Sequence, residues 1–292
     1  MATVAIRGET RMLSEPYPRA AGSVWSPTSG MTFDVGAATD VGPVRRLNED
    51  SYLVAPPVFL VADGMGGHGG GDLASRLVTE VFRELAEDLV DAQAVGLAVT
   101  RAAARVGGME RTTDGRAPGT TFAAVCYVEE SGTPYWCITS MGDSRVYLLG
   151  DGLLSRLTRD HSVVQELIDE GTISPDEASS HPERHVVTRA LGADLSTPAD
   201  FSLVPIEPGT RILICSDGVW GTLSDPELTE LMTVSTPAEA VERLLAAAFA
   251  AGGRDNATAV LVEVSPASQA GGDPQIDDTV EVVAAAGLRT RA

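Results

Sequence analysis

The chain has 292 residues, 43% of them hydrophobic, with 30 glycines, 17 prolines and a net charge of −20. Such a composition can bury a large core, and its acidity argues against a nucleic-acid or anionic-membrane surface while fitting either a solvated acidic exterior, which must account for most of the charge, or acids gathered to hold cations. No stretch approaches the roughly 18 apolar residues of a membrane span, and Cys126, Cys137 and Cys215 sit in apolar runs without metal-finger or redox spacing, the pattern of buried thiols in a reducing, cytoplasmic compartment.

Residues 1–29 mix Arg, Ser, Pro and Gly without a period and read as a flexible arm, so a folded domain is expected over 30–265. A strand near 31–36 leads through a turn to Arg45-Arg46-Leu47-Asn48-Glu49-Asp50 and a second strand at 52–54. The apolar run 58–62 stops on Asp63 and opens into Gly64-Met65-Gly66-Gly67-His68-Gly69-Gly70-Gly71, too glycine-rich for the interior of a strand or helix. From Asp72 the apolar residues recur with helical spacing, and 92–106 continue as a second helix. The glycines match G-x-G-x-x-G, yet a dinucleotide fold requires a parallel strand ending in an acid about 20 residues on. Here helix follows helix, with no strand before about Thr121, so that reading is set aside.

Strands at 119–128 and 135–140 read as an antiparallel pair, followed by Met141-Gly142-Asp143-Ser144-Arg145, a strand at 146–149 and a hairpin at Asp151-Gly152. Residues 155–192 are polar and punctuated: Ser162 can cap a helix ending at Gly171, and Ser174-Pro175-Asp176-Glu177 starts another. Such an excursion between hairpins suits a flap over a substrate. The strand 211–215 runs into Ser216-Asp217-Gly218, helices start at Asp225-Pro226 and Thr236-Pro237, and Asp255-Asn256 precede a last strand at 259–264. Residues 266–292 turn small and polar and read as a disordered tail.

Asp63, Asp143 and Asp217 end apolar strands beside glycines, Asp255 stands just before a strand, and Glu49-Asp50 adjoin another. Any one alone is an ordinary turn residue. Brought together they would repel unless cations neutralised them, and a site of oxygen ligands without His or Cys favours Mg²⁺ or Mn²⁺ over zinc. Two such ions about 3.5–4 Å apart would hold a bridging hydroxide suited to in-line attack on phosphorus, with Arg45 clamping phosphate oxygens.

The ordered series Arg45-x-x-Asn48-Glu49-Asp50, Asp63-Gly64-Met65-Gly66-Gly67, Gly119-Thr120-Thr121, Gly142-Asp143-Ser144-Arg145, Ser216-Asp217-Gly218 and Asp255-Asn256 resembles bacterial metal-dependent serine/threonine protein phosphatases of the PPM, or PP2C, family. The resemblance spans about 32–264. It implies an α+β fold, a PP2C-like α/β/β/α four-layer sandwich of two antiparallel sheets flanked by pairs of antiparallel helices. It also implies two core Mn²⁺ or Mg²⁺ ions and a third, weaker one. Carried over by position, Asp63 would bridge the two metals, the Gly64 carbonyl would bind the second, Asp217 and Asp255 would complete the first, Glu49 and Asp50 would hold metal-bound waters, and Asp143 would support the third ion. Arg45 matches the phosphate-binding arginine, so Arg45, Asp63 and Asp217 are the expected catalytic set. Animal members carry a histidine where this chain has Met65, which points to water as proton donor. His68 reads as exposed filler of the glycine loop, and His161, His181 and His185 as helix-end or surface residues of the flap. The implied partners are phosphoserine and phosphothreonine proteins, with Ser/Thr kinases opposed, and a monomer is expected. A phosphoprotein-binding pseudoenzyme is disfavoured because none of the expected acids is missing, and a phosphatase for sigma-factor regulators because those relatives generally lack the Arg-x-x-Asn-Glu-Asp entry.

Overall fold

A computed structural model describes residues 20–25, 30–66, 70–86, 90–112, 115, 117–192, 198–233, 236–266 and 282–284. One sheet has the order β1 (Ala20–Trp25), β2 (Met31–Asp40), β11 (Ala257–Pro266), β10 (Arg211–Cys215), β7 (Arg145–Gly150) and β8 (Leu153–Arg156). The other runs β12 (Val282–Ala284), β3 (Asp50–Ala55), β4 (Val58–Met65), β5 (Gly119–Glu130), β6 (Thr133–Met141) and β9 (Asp200–Pro205). Every pairing is antiparallel. Helices α1 (Gly70–Ala86) and α2 (Ala92–Gly107) cover the second sheet, while α5 (Asp217–Trp220), α6 (Asp225–Met232) and α7 (Pro237–Ala250) lie on the first. Two short helices, α3 (Val163–Asp169) and α4 (Pro175–Ala178), belong to the 155–192 excursion. The expected four-layer α+β sandwich is what forms.

The layers follow from the two-residue period of strands. In β4, Phe59 and Val61 enter the core between the sheets, while Val58, Leu60 and Ala62 pack beneath α1 and α2. In β11, Val260, Val262 and Val264 face the inter-sheet core and Ala257, Ala259 and Leu261 face the other helices. Both faces are buried, so these strands read as continuous apolar runs rather than alternating ones. Phe33, Phe59 and Trp136 meet edge to face at the centre, with centroids 5.4 and 6.2 Å apart.

The caps of the excursion form as expected. Ser162 accepts from the Gln165 backbone N–H, and Ser174 with Glu177 makes a reciprocal capping box ahead of Pro175. Two segments depart from expectation. Ala20–Trp25, inside the expected arm, pairs with β2, and Val282–Ala284, inside the expected tail, pairs with β3. Main-chain pairing to an open sheet edge makes these strands, and neither composition nor period encodes it. Strand β9, which pairs with β6, had no reading in the sequence.

Candidate active site

The same alternation that fills the core delivers polar residues to one end of it. Asp50 has the parity of Tyr52 and Val54, and Asp63 that of Phe59 and Val61, so both continue the row facing the opposite sheet. They are direct partners across β3 and β4. Thr39 and Thr258, partners across β2 and β11, continue the rows ending at Ala37 and starting at Val260, and Thr121 sits opposite Asp63 in β5. The inter-sheet core thus changes at one end from hydrocarbon to hydroxyls and carboxylates.

A hydrogen-bonded chain orders this floor. Asp50 Oδ2 accepts from Thr258 Oγ1 at 2.6 Å and from Ser216 Oγ at 2.8 Å. With its proton given to Asp50, Thr258 takes one from Thr39 at 2.6 Å, and Thr39 in turn accepts from Asn48 Nδ2 at 2.8 Å. Asn256 ties the entry loop to the last strand: its Nδ2 donates to the carbonyls of Val41 and Leu47, and its Oδ1 accepts from the Glu49 N–H at 2.9 Å. The Gly64 N–H donates to the Glu49 carbonyl at 3.1 Å, and a Cβ at Gly64 would lie 2.2 Å from the Gly71 carbonyl oxygen, so only glycine lets α1 approach β4 this closely.

Electrostatically the acids form one group. Burial pushes Asp50 up to about 7, with Asp217 and Asp255 adding to the rise against the bonds from Thr258 and Ser216. Burial and the charges of Asp50, Asp217, Asp143 and Asp255 hold Asp63 well above the carboxylate range. Asp143 rises to about 8 through burial and the charge of Asp217, and Asp217 to about 6 through burial and Asp255. Burial and then the charge of Asp72 raise Glu49. The arginine whose charge reaches Asp63 and Glu49 is Arg45, and its guanidinium pairs with Asp255 at 2.6 Å, both side chains about half exposed.

The expected residues lie at the same end of the sheets, near enough for their charges to act on one another: Glu49 and Asp50 at the start of β3, Asp63 and Gly64 at the end of β4, Asp143 between β6 and β7, Asp217 after β10, Asp255 before β11, and exposed Arg45 beside Asp255. Among the described residues no three of these side chains close on one point as a finished ligand set. Asp50 and Asp143 are buried, the neighbouring acids raise their pKa values, and Glu49 Oε1 is buried and unpartnered. That donor set fits hard divalent cations.

Several residues here had no assigned role in the sequence. Ser216 and Thr258 hold Asp50 from 166 and 208 residues away in the chain. Asp160 binds Arg145 bidentately, and Arg145 lies 3.3 Å over the Trp220 ring, whose Nε1 donates to the Asp143 carbonyl at 2.9 Å. His161 is fully buried rather than a surface residue, and burial lowers its pKa against the pull of Asp200. His185 is exposed as expected, and its charge draws the pKa of Asp217 down. His68 lies outside the described residues.

The protein phosphatase 2C family model matches residues 46–264, from the entry loop to the last core strand. The chain belongs to the protein phosphatase 2C family. It is 37% identical over 234 residues to the serine/threonine protein phosphatase PstP of Mycobacterium tuberculosis, covering 78% of this chain and 44% of PstP, so it spans less than half the length of that relative. With the serine/threonine phosphatase stp of Listeria monocytogenes it shares 34% identity over 240 residues, 77% of this chain and 93% of stp. The crystal structure of the PstP catalytic domain in complex with two manganese ions superposes with a TM-score of 0.72 at 33% identity, covering 80% of this chain and 99% of that one. Among the described residues of this PP2C member, no helix is long and apolar enough to cross a membrane.

Proposed function

We propose that the chain is a metal-dependent protein phosphatase that hydrolyses phosphoserine and phosphothreonine on proteins, opposing Ser/Thr kinases as a cytoplasmic monomer. The observation that carries this reading is the gathering of Asp50, Asp63, Asp143 and Asp217 in one cleft with their pKa values raised together, a charge the chain itself leaves largely unneutralised. The two manganese ions of the PstP catalytic domain and the phosphatase names of the PstP and stp relatives support it.

In this reading Asp63, Asp217, Asp255 and the Gly64 carbonyl hold two Mn²⁺ or Mg²⁺ ions, Glu49 and Asp50 orient waters around them, and Asp143 serves a third, weaker position. Bound there, the cations supply Lewis acidity toward the phosphoryl oxygens and lower the pKa of a water nucleophile. The chain's own residues do the rest. Ser216 and Thr258 hold one oxygen of Asp50 and leave the other to the cleft. Arg45 sits on an exposed pair with Asp255, a contact worth little, so its guanidinium can leave for a phosphate and bind two oxygens at once. Met65 offers no proton at the position after Asp63-Gly64, so the leaving hydroxyl takes its proton from water.

The test is hydrolysis of p-nitrophenyl phosphate and of a phosphothreonine peptide, with Mn²⁺ or with chelator, by the native protein and Asp217→Asn. Turnover of both substrates that disappears with chelator and in the variant is expected. Turnover indifferent to either change would overturn the reading.

A further inference from the structure

The excursion at 155–192 touches the carboxylate cleft through one buried ring. His161, 1% exposed, follows Asp160 and packs on the peptide just ahead of Asp143. Its backbone N–H donates to the Gly142 carbonyl at 2.8 Å, and its Nδ1 accepts the Gly142 N–H at 3.1 Å, so both polar groups of Gly142 are taken by one residue. With Nδ1 accepting, the ring proton sits on Nε2, which lies 3.2 Å from Asp200 Oδ2 at the start of β9. The carbonyl of His161 accepts from the Thr188 N–H at 2.8 Å, and Arg189 lies 3.6 Å from the other oxygen of Asp200.

The held peptide is an unusual one. Gly142 has φ +105°, and a Cβ there would lie 2.4 Å from the Thr121 side chain, so the backbone between β6 and β7 is forced through a conformation that only glycine enters freely. Asp143 comes next, and Trp220 holds its carbonyl from the far side. The Gly142 carbonyl is therefore held by the His161 backbone, the Gly142 N–H by the His161 ring, and the Asp143 carbonyl by the Trp220 side chain, where strand pairing has lapsed.

We propose that His161 is a positioning residue for Asp143: oriented by Asp200, its imidazole locks the Gly142 peptide and so sets the aim of the Asp143 carboxylate into the cleft. This rests on the reading of Asp143 as a metal ligand given above. The arrangement follows the logic by which a carboxylate orients a histidine in metalloproteins, with a backbone N–H in the place of the metal.

The test uses substitutions that each keep one half of the ring's bonding. In His161→Asn the side-chain oxygen can stand where Nδ1 accepts. His161→Gln reaches toward Asp200 and abandons Gly142. Calorimetric titration of Mn²⁺ should find the weakest binding step weakened about tenfold in His161→Gln and within about twofold of native in His161→Asn, the size usual for outer partners of metal ligands. In the same preparations kcat for p-nitrophenyl phosphate should fall in Gln and be rescued in Asn, with KM little changed in both. If Asn and Gln lose thermal stability alike and both bind Mn²⁺ as the native chain does, His161 is only a packing residue and the proposal fails. Should either variant not fold, Asp200→Asn, at a half-exposed carboxylate, carries the test: it should weaken the same step in the same direction, and no change would overturn the relay. Asp143→Asn separates the two levels. If it leaves the weakest step unaltered, the ligand reading falls. If it weakens that step while His161→Gln does not, only the role of His161 falls.

Discussion

Asp160 and two aspartates of the cleft, Asp50 and Asp143, are about equally hidden from water and meet that burial in opposite ways. Asp160, 4% exposed, receives three hydrogen bonds from Arg145, and Arg156 approaches to 3.5 Å. Asp50 and Asp143, 1% and 5% exposed, receive no arginine hydrogen bond among the described contacts, and with Asp63 and Asp217 they raise one another's pKa. The guanidinium of Arg145, stacked on Trp220, is given to Asp160, an acid with a structural role. Asp50 and Asp143 receive none, and both lie among the acids of the cleft. On the proposed function, the difference separates a carboxylate that completes the fold from carboxylates that would hold a cation.

The sharpest way to break that comparison is one substitution made in both places. Asp63→Asn should lower Mn²⁺-dependent turnover by more than the ~100-fold that outer partners of metal ligands contribute, yet in chelator at pH 8 it should raise the melting temperature, because it removes a carboxyl whose burial and acidic neighbours make it costly to fold above its ordinary pKa. Asp160→Asn should do the reverse, destabilising the chain by about 3–5 kcal/mol with or without Mn²⁺, because Arg145 is left buried and poorly paired. Urea denaturation measures both signs, and a loss of stability for both variants in chelator would dissolve the distinction.

A second effect is graded with pH. The cleft carboxyls have folded-state pKa values near 6 to 8 against an ordinary 3.8. Above 3.8 the folded chain keeps protons that the unfolded chain releases, so metal-free stability should fall steadily as pH rises from about 5 to about 8. On the proposed function Mn²⁺ would displace those protons, and its stabilising effect should grow across the same window. Melting curves at pH 5.5 and 8, with and without Mn²⁺, check this, and a metal-free protein more stable at pH 8 would contradict it. The smallest expected change is at the rim. Arg45→Ala should raise KM for p-nitrophenyl phosphate about tenfold through the lost bidentate contact, while an exposed pair with Asp255 costs under about 1 kcal/mol of stability when removed.

How much of this was legible depends on where each signal lies. Asp63 could be read because an apolar run, a carboxylate and a glycine cluster are contiguous, and the cleft because that pattern recurs at Asp143 and Asp217. The caps at Ser162 and Ser174 are three-residue signals and formed as expected. Ser216 and Thr258 were invisible as partners of Asp50, since only the register of β10 on β11 and the packing of the sheets bring them to it. His161 was misjudged because polar neighbours suggested a surface, whereas Gly142 and Asp200, distant in the chain, enclose it. β9 escaped because it is a largely exposed edge strand with no buried face to impose alternation.

The most direct test of the central claim is a calorimetric titration of chelator-treated protein with Mn²⁺ at pH 7.5, beside Asp63→Asn. The account expects at least two ions bound per chain, with protons released on binding, and loss of the tight step in the variant. Native, folded protein that takes up no Mn²⁺ at millimolar concentration would contradict it.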